Sequence, residues 1–284
     1  MLLVLGKSGQ LAQELAQRGI ENVMFAGREA IDLAQPVLVE DAILKLAPSA
    51  VINAAAYTAV DRAETERDLA FAVNAHSVQA AARACAALNI PFVHVSTDYV
   101  FAGTGDQPYP ETAPLAPINA YGASKAHGEA LVGKVGGKYA ILRTSWVYSQ
   151  FGANFVKTMR RLAGERDSVG VVADQLGRPT YGADLAHACL FLVDLLTKDE
   201  RAAGIYHYAN AGIISWADLA QEVFTLHQIK TGKQTHLNRI TSDAFPTPAK
   251  RPAWSALDTS KIEGRGLVIP DWKTRLAVCF DLLN

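Results

Sequence analysis

The chain has 284 residues, half of them hydrophobic, and its formal net charge is −1. This length fits one large α/β domain or a main domain with a smaller annex, and the charge gives no basis for binding nucleic acid or an anionic membrane. No apolar run reaches a membrane-spanning length, and no basic and apolar leader precedes the first strand. The separated Cys85, Cys189 and Cys279 favour buried, reduced thiols over a disulfide framework or zinc site. We therefore expect a cytoplasmic protein with neither nucleic-acid nor membrane partners.

The amino terminus predicts a dinucleotide site. The apolar strand Leu2–Leu5 leads into the turn Gly6-Lys7-Ser8-Gly9-Gln10-Leu11-Ala12, and a helix follows. Glycine-rich turns between a buried strand and a helix let backbone N–H groups meet a pyrophosphate. Gly6-Lys7-Ser8 is also similar to the end of a nucleotide-triphosphate P-loop, but that motif requires glycine where Met1 stands. The turn alone is weakly specific, so its interpretation depends on later motifs.

Strands and helices alternate through the first half of the chain. The predicted elements are strand Val23–Ala26, helix Pro36–Leu46, strand Ala50–Ala56, helix Asp68–Leu88, strand Pro91–Ser96, helix Ala120–Val132 and strand Tyr139–Thr144. This alternation with continuous apolar strands predicts an α/β fold with a doubly wound parallel sheet of the Rossmann type. Ligands of such sheets bind beyond the carboxyl ends of the strands. Gly6, Ala56, Thr97 and Thr144 fall at such ends and are expected to line one crevice.

The pattern loosens after residue 146. Strands Val169–Val172 and Gly204–Asn210 and short helices Asp184–Leu196 and Trp216–His227 precede the proline-rich loop Pro246–Pro252. We expect residues 1–146 to form the dinucleotide-binding Rossmann domain. Residues 147–284 are expected to form a smaller mixed α/β, mainly substrate-binding part, with segments returning to the main sheet.

Tyr121 and Lys125, four residues apart in Tyr-Gly-Ala-Ser-Lys, indicate the chemistry. Positions i and i+4 lie on one face of a helix, and an ammonium near a phenol lowers the pKa of that phenol. A phenol tuned in this way donates a proton to a carbonyl oxygen while a hydride reaches the carbon, which requires a nicotinamide. Such a pair is common by chance on amphipathic helices. The glycine turn and the strand-end Thr97 make it specific here.

These residues resemble the extended short-chain dehydrogenase/reductase superfamily and, within it, the dTDP-4-dehydrorhamnose reductases. The likeness covers nearly the whole chain, and its most specific parts are Asn53–Asp61 and Ser96–Phe101. The other segments that carry it are Gly6–Leu11, Tyr121–Lys125, Arg143–Tyr148, Asp174–Thr180 and Pro246–Pro252.

The resemblance implies an oxidoreductase with a dTDP-sugar substrate, acting as a monomer or homodimer. It implies reduction of the 4-keto group of dTDP-6-deoxy-L-lyxo-4-hexulose to dTDP-L-rhamnose, with NADPH or NADH. The product belongs to carbohydrate biosynthesis and enters surface polysaccharides such as lipopolysaccharide.

The resemblance also implies roles for individual residues. Tyr121, Lys125, Thr97 and Asp98 are expected to be catalytic, and Thr97, Asp98, Tyr99, Trp146 and Arg251 to bind the substrate. The expected cofactor residues are Gly6, Gly9, Gln10, Leu11, Arg28, Asp32, Leu33, Ala56, Tyr57, Thr58, Tyr121 and Lys125.

Cofactor choice is suggested by Arg28. It follows the second predicted strand, where an acidic residue instead holds a ribose 2′-hydroxyl, and a guanidinium there suits a 2′-phosphate. NADPH is therefore the expected cofactor.

Several of these residues also have purely structural interpretations, which the sequence leaves open. Asp98 also suits a turn cap and Trp146 the core. Tyr57, Asn74 and Arg251 suit packing or loop contacts, and Arg28 a solvated charge. Some relatives hold magnesium at a dimer contact, and Glu14 and Asp184 match positions of that kind. With the sequence ending at Asn284, no further carboxylate from a tail is expected, and no bound metal is predicted.

Two other function classes remain open at this point. A related nucleotide-sugar epimerase or dehydratase is expected to keep NAD tightly bound, and a dehydratase to carry an acidic pair after Thr97. Here Asp98-Tyr99 follows instead, which favours simple reduction. A non-catalytic regulatory subunit, like that of methionine adenosyltransferase, also uses this scaffold, and the intact Tyr121/Lys125 pair argues against it.

Overall fold

The structure, a computed structural model, describes residues 1–283. The first half alternates strands and helices: β1 Leu2–Leu5, α1 Gln10–Ala16, β2 Val23–Ala26, α2 Pro36–Leu46, β3 Ala50–Asn53, α3 Arg67–Phe71, α4 Ser77–Ala87, β4 Phe92–Thr97, α5 Ala120–Val135 and β5 Tyr139–Thr144. The second half has shorter strands: β6 Val147–Tyr148, α6 Phe155–Glu165, β7 Ser168–Val172, β8 Leu176–Gly177, β9 Thr180–Tyr181, α7 Gly182–Lys198, β10 Gly204–His207, β11 Ile214–Ser215, α8 Trp216–Thr231, β12 His236–Ile240, α9 Ser260–Glu263 and α10 Trp272–Asp281.

The main sheet has six strands in the order β10-β5-β4-β3-β1-β2, and each neighbouring pair is parallel. The predicted doubly wound α/β fold is therefore confirmed. In this register Leu5 lies opposite Asn53 and Thr97 opposite Thr144, so the carboxyl ends of the strands meet at one edge. That edge is where ligands of such sheets bind.

Helices cover both faces of the sheet, which explains why its central strands are mostly apolar. One face packs against α2, α4 and α5, with Val39, Ile43 and Val132 in the core. The other face packs against α1 and α7, with Leu15 and Leu192 in the core. Strands buried on both faces read as continuous hydrophobic runs.

Two elements from the second half of the chain contribute to the main sheet. Strand β10 pairs with β5 at the edge, with Tyr206 opposite Leu142. Helix α7, predicted as a short helix, runs from Gly182 to Lys198 and packs against β4 and β5. The core of the first half is thus completed by residues that follow position 146.

The predicted long helix Asp68–Leu88 is interrupted in the structure. A π-helical segment, Ala72–His76, separates α3 from α4. Within this segment Asn74 accepts a hydrogen bond from the Tyr57 N–H at 2.8 Å and donates one to the Tyr57 carbonyl at 3.0 Å. π-helical turns of this kind often occur at functional sites. The bulge directs the Asn74 amide at the segment that follows β3.

The remaining elements build a smaller body beside the sheet. Helices α6, α8 and α10 and strand β7 enclose a separate apolar cluster. Strand β7 pairs in parallel with β12. Helix α8 begins with a capping box, in which Ser215 and Asp218 bond each other's backbone N–H groups. Cys85, Cys189 and Cys279 are all buried and unpaired. Within residues 1–283, no helix is both long and apolar enough to cross a membrane.

Candidate active site

A cleft of about 930 Å³ lies beyond the carboxyl ends of the main-sheet strands. Gly6, Ala56, Thr97 and Thr144 all line it. Gly6, Thr97 and Thr144 lie at the carboxyl ends of β1, β4 and β5, whereas β3 ends at Asn53 and not at the predicted Ala56, which lies in the loop that follows. Ligand pockets commonly measure about 300–1,000 Å³, so this cleft is at the large end of that range. It is long enough to reach from Arg28 to Trp216.

The glycine turn forms one wall of the cleft. Gly6 has φ +109°, and a Cβ there would lie 3.3 Å from the Ala55 Cβ, so the turn requires glycine. Gly9 precedes α1, and a Cβ at Gly9 would meet nothing within 4 Å, which leaves its backbone open to the cleft. Gln10 and Leu11 also line the cleft. The turn therefore suits the close approach of a pyrophosphate.

Arg28, Asp32 and Leu33 line the far end of the cleft. The Arg28 side chain is 86% exposed and lies 3.9 Å from the Asp32 carboxylate. Asp32 accepts a hydrogen bond from the Ala34 N–H at 2.9 Å, which holds the loop after β2 in a tight turn. The guanidinium is thus free to turn toward a phosphate group.

The segment after β3 divides between the cleft and the interior. Ala56 and Thr58 line the cleft, whereas Tyr57 is absent from its lining and donates a hydrogen bond from its hydroxyl to Glu66 at 2.7 Å. The Tyr57 backbone N–H and carbonyl are both bonded to Asn74, so the structure does not bring Tyr57 to the predicted cofactor path. Its ring serves to anchor this loop against Glu66.

Helix α5 brings Tyr121 and Lys125 into the cleft. Asn119 caps the helix by accepting a hydrogen bond from the Gly122 N–H at 2.8 Å. A Cβ at Gly122 would lie 2.1 Å from the Tyr99 carbonyl oxygen, so glycine is needed for α5 to approach the loop after β4. The Tyr121 ring then meets the Tyr99 ring edge-on, with centroids 5.6 Å apart.

Lys125 is buried against β4. Its ammonium nitrogen Nζ donates to the Val95 carbonyl at 2.6 Å and lies 3.2 Å from His94 Nε2. Burial lowers the pKa of Lys125 to about 7, with Glu129 acting in the opposite direction.

The pKa of Tyr121 differs from the sequence prediction. Burial raises it to about 12, opposed by a hydrogen bond with Thr97. An ammonium was expected to lower it, but Lys125 is directed at the Val95 carbonyl and loses its charge readily in this interior position.

Thr97 and Asp98 form a linked pair at the end of β4. The Thr97 hydroxyl donates to Asp98 Oδ1 at 2.8 Å and accepts from the Tyr99 N–H at 3.2 Å. Asp98 is 3% exposed, and its Oδ2 has no hydrogen-bond partner within the described residues. Burial raises the pKa of Asp98 to about 7. Both residues line the cleft, so the pair is available to a polar ligand.

Trp146 also lines the cleft. Its backbone has φ +49°, uncommon for a non-glycine residue, and its ring stacks on Trp216 with centroids 3.7 Å apart and planes 12° from parallel. A Cβ at Gly177 would lie 2.8 Å from the Trp146 ring, so that glycine makes room for the indole. Both tryptophans line the cleft.

The chain matches the family model described as RmlD substrate binding domain over residues 1–284. It is 43% identical over 277 residues to the dTDP-4-dehydrorhamnose reductase of Sinorhizobium fredii, covering 96% of this chain and 94% of the relative. The crystal structure of a dTDP-4-dehydrorhamnose reductase from Clostridium acetobutylicum superimposes with a TM-score of 0.92 at 37% identity, covering 99% of both chains. That from Bacillus anthracis, in complex with NADP, has a TM-score of 0.90 at 35% identity, covering 99% of this chain and 98% of that one.

The chain belongs to the dTDP-4-dehydrorhamnose reductase family. The resemblance proposed from the sequence motifs is therefore confirmed. Among the function classes that the sequence left open, membership favours the reductase over an epimerase, a dehydratase or a regulatory subunit.

In this reductase family member, Arg251 lies apart from the cleft lining. Its guanidinium donates to Asp61 at 2.9 Å and to the Ala249 carbonyl at 3.3 Å. Tyr99, also predicted to bind substrate, does line the cleft. The contacts of Arg251 fit the loop-bracing interpretation, which ties the proline-rich segment to the loop after β3.

The acidic residues considered for a metal both have protein partners. Glu14 is buried and accepts from the Ser149 hydroxyl at 2.5 Å, and burial raises its pKa. Asp184 forms an ion pair with Arg275 at 2.7 Å and accepts from Asn210 at 2.9 Å. Within residues 1–283, no group of three or more His, Cys, Asp or Glu side chains is arranged to hold a metal ion.

Sequence reasoning missed three residues that the structure brings to the site. Trp216 lines the cleft from the start of α8, and His94 and Asn53 lie behind Lys125 in the sheet. Nothing in the sequence around Trp216 indicated that it belongs to the cleft, because it follows a short strand that carries none of the predicted site residues. His94 did have one, because a histidine inside an otherwise apolar strand needs a buried polar partner.

Proposed function

We propose that this protein reduces the 4-keto group of dTDP-6-deoxy-L-lyxo-4-hexulose to give dTDP-L-rhamnose, with NADPH as hydride donor. The observation that carries the proposal is the convergence of Tyr121, Thr97 and Lys125 on one cleft that begins at a glycine turn. Family membership supplies the substrate class, and the relative from Bacillus anthracis binds NADP.

The residues present fit a dinucleotide. The backbone around Gly9 and Gln10 would hold the pyrophosphate, and Arg28, Asp32 and Leu33 would surround the adenosine end. Ala56 and Thr58 would line the path to the nicotinamide, and Lys125 would hold its ribose. The open space in front of Gly9 and the close approach at Gly6 support this assignment. When bound, the cofactor supplies a hydride to the substrate carbonyl carbon.

Tyr121 acts as the proton donor. As the carbonyl carbon gains its hydride, the π electrons move to oxygen, and the Tyr121 hydroxyl gives that oxygen its proton. The resulting phenolate is unstable in this buried position, since burial raises the pKa of Tyr121 to about 12. The Lys125 ammonium supplies the proton that restores Tyr121, relayed through water because the two groups are not in direct contact, and Lys125 is recharged from solvent.

Thr97 and Asp98 stabilise the developing charge. A hydroxyl donor placed against an incipient oxyanion is more effective in a buried site than in water. The Thr97 hydrogen is directed at Asp98 while the carboxylate is charged. Protonation of Asp98 frees that hydrogen for the substrate oxygen.

The Trp146 and Trp216 pair provides the apolar wall for the sugar. Each ring supports the other, and the aromatic surface that the pair adds to the cleft lining is suited to a deoxy sugar with one apolar face. Their place in the same cleft as Tyr121 supports a role in excluding water from the reacting carbonyl.

The test is a direct assay. The keto sugar is generated with the upstream pathway enzymes, and NADPH consumption is followed by its absorbance after adding the protein. We expect consumption in proportion to keto sugar, with dTDP-rhamnose identified by mass spectrometry. No oxidation above the protein-free control, or a product of unchanged mass, would overturn the proposal.

A further inference from the structure

A buried histidine stands directly behind Lys125, and the reaction sequence above leaves it without a role. His94 lies on β4 and is fully buried. Its Nε2 is 3.2 Å from Lys125 Nζ, and its Nδ1 is 3.1 Å from the side-chain Nδ2 of Asn53 on β3. The three side chains form a continuous hydrogen-bonded row that ends at the cleft.

The orientation of the Asn53 amide is determined by the backbone. The N–H of Ala55 lies 3.2 Å from Asn53 Oδ1. A backbone N–H only donates, so the oxygen of the amide must face it and the NH₂ group must face His94. Reversing the amide would set two donors against each other at Ala55. His94 Nδ1 therefore accepts a hydrogen bond from Asn53.

The tautomer of His94 follows from that bond. A neutral imidazole that accepts at Nδ1 carries its hydrogen on Nε2, and this hydrogen points at Lys125 Nζ. An ammonium has three donors and no lone pair, whereas a neutral amine has one lone pair. Each donor in the row therefore faces an acceptor when Lys125 is a neutral amine that accepts from His94 and donates to the Val95 carbonyl.

We infer that Asn53 and His94 are positioning residues that set the protonation state of Lys125. Asn53 selects the Nε2–H tautomer of His94, and this tautomer favours the neutral amine of Lys125 over the ammonium. The inference rests on the proposed function, in which the ammonium returns a proton to Tyr121. The pair thus sets the pH above which reduction fails for lack of that proton.

The electrostatic surroundings of Lys125 are consistent with a balance between its neutral amine and its ammonium. Burial lowers the pKa of Lys125 to about 7 and that of His94 well below its ordinary range. Glu129, one turn further along α5, favours the ammonium, but it is held at 2.6 Å by Arg143 of β5 and also accepts from Ser96 of β4.

Two further titratable groups lie nearby. Tyr121 precedes Lys125 by one turn on α5, and Asp98, beyond β4, acts on Tyr121. Neither contacts the Lys125 nitrogen, whereas His94 does.

The substitution Asn53→Asp tests the inference with little change of shape. A carboxylate accepts from both the Ala55 N–H and a His94 Nδ1–H, so the tautomer reverses and a lone pair faces Lys125. The ammonium is then favoured. We expect the alkaline limb of the kcat–pH profile to move upward by about one unit or more, since one pKa unit corresponds to a tenfold change in protonation equilibrium. An unmoved limb would overturn the inference.

The same Asn53→Asp substitution made in a His94→Phe background separates the effect of the tautomer from the effect of the added negative charge. His94→Phe removes both ring nitrogens while keeping a ring that can stack on Phe92, whose centroid lies 6.2 Å from that of His94. We expect Asn53→Asp to shift the profile in the native background and to leave it unmoved in the His94→Phe background. A shift of equal size in both backgrounds would show a direct charge effect and contradict the inference.

The tautomer itself is measurable in the native protein without substrate. In protein labelled with ¹⁵N-histidine, we expect His94 to show an unprotonated Nδ1 and a protonated Nε2 at pH 7 to 8. The resonances are assigned by their loss in His94→Phe or His94→Gln. The opposite tautomer, or an imidazolium, would overturn the inference. Because this readout needs no turnover, an inactive wild-type protein would contradict the proposed function alone.

Discussion

The Arg143 guanidinium and the Glu129 carboxylate form an ion pair in the protein interior, with a shortest contact of 2.6 Å and side chains 1% and 2% exposed. Arg143 donates to both carboxylate oxygens, and the Ser96 hydroxyl adds a third donor at 2.5 Å. The guanidinium also lies over the Phe101 ring, 5.0 Å from its centroid. The pair ties α5, which carries Tyr121 and Lys125, to strand β5 of the main sheet.

Removing one partner of this pair should destabilise the fold strongly. Glu129→Ala leaves Arg143 as an uncompensated buried charge, which typically costs about 3–5 kcal/mol. The matched control is Glu165→Ala, which breaks an Arg161 pair of the same 2.6 Å length whose side chains are 60% and 50% exposed. Exposed pairs of that kind contribute about 0.3–0.5 kcal/mol. Urea unfolding measures the free energy of unfolding of both variants. Equal losses in Glu129→Ala and Glu165→Ala would contradict the importance of burial.

Tyr121→Phe should lower kcat by about a hundredfold to ten-thousandfold, because it removes the proton donor. Binding of NADPH, followed by fluorescence, should survive. The control is Tyr148→Phe, since the Tyr148 hydroxyl is buried without a hydrogen-bond partner within the described residues and that residue is absent from the cleft lining. It should retain kcat and stability. Near-normal turnover by Tyr121→Phe would defeat the assignment of the proton donor.

Arg28→Ala should change cofactor choice. We expect kcat/KM for NADPH to fall by about tenfold or more while that for NADH changes little, because a hydrogen bond to a charged group contributes about 1.5–3 kcal/mol. Arg201→Ala, which removes a guanidinium with 91% exposure elsewhere on the surface, is the control. Equal losses with both cofactors would show that Arg28 does not contact a 2′-phosphate.

Asp98 should make stability depend on pH. Burial raises its pKa in the folded protein to about 7 from an ordinary value of 3.8, so the folded state favours the protonated carboxyl. The contribution of Asp98 to the free energy of unfolding is therefore fully present below about pH 4. Roughly 4 kcal/mol of it is lost as the pH rises to about 7. Asp98→Asn should remove this slope.

Urea unfolding between pH 4 and 8 compares the Asp98→Asn variant with the native protein. Asp243→Asn, at an exposed position, serves as the control and should keep the native slope. The prediction fails if Asp98→Asn and the native protein lose stability in parallel as the pH rises.

Trp216→Ala should weaken sugar binding through Trp146. Loss of the stacked partner leaves Trp146 unsupported, and such ring pairs contribute about 0.5–1.5 kcal/mol beyond burial. We expect the KM for the keto sugar to rise by about tenfold with the KM for NADPH unchanged. Trp216→Phe, which keeps a stacking ring, should recover most of the loss. A matching rise in the KM for NADPH would indicate general damage to the cleft.

Local sequence patterns predicted the bounds of an element correctly where only residues near in the chain determine them. Strands β1, β2 and β5 begin and end at the predicted residues, at Leu2–Leu5, Val23–Ala26 and Tyr139–Thr144. Helix α5 presents Tyr121 and Lys125 on one face because of its 3.6-residue period. Boundaries failed where a distant side chain intervenes. The predicted helix Asp68–Leu88 is interrupted at the segment whose Asn74 bonds the backbone of Tyr57.

The glycine turn and the tyrosine–lysine pair were determined by the sequence alone, because each depends on residues a few positions apart. The parallel sheet was predicted from the alternation of strands and helices along the chain, since parallel strands need a crossover between them. Tertiary packing decided what surrounds them. It placed His94 against Lys125, Trp216 on Trp146 and Arg251 on Asp61, and none of these pairs is close in the chain. Burial then raised the pKa of Tyr121 and lowered that of Lys125, since the cost of desolvating a charge depends on every atom packed around it.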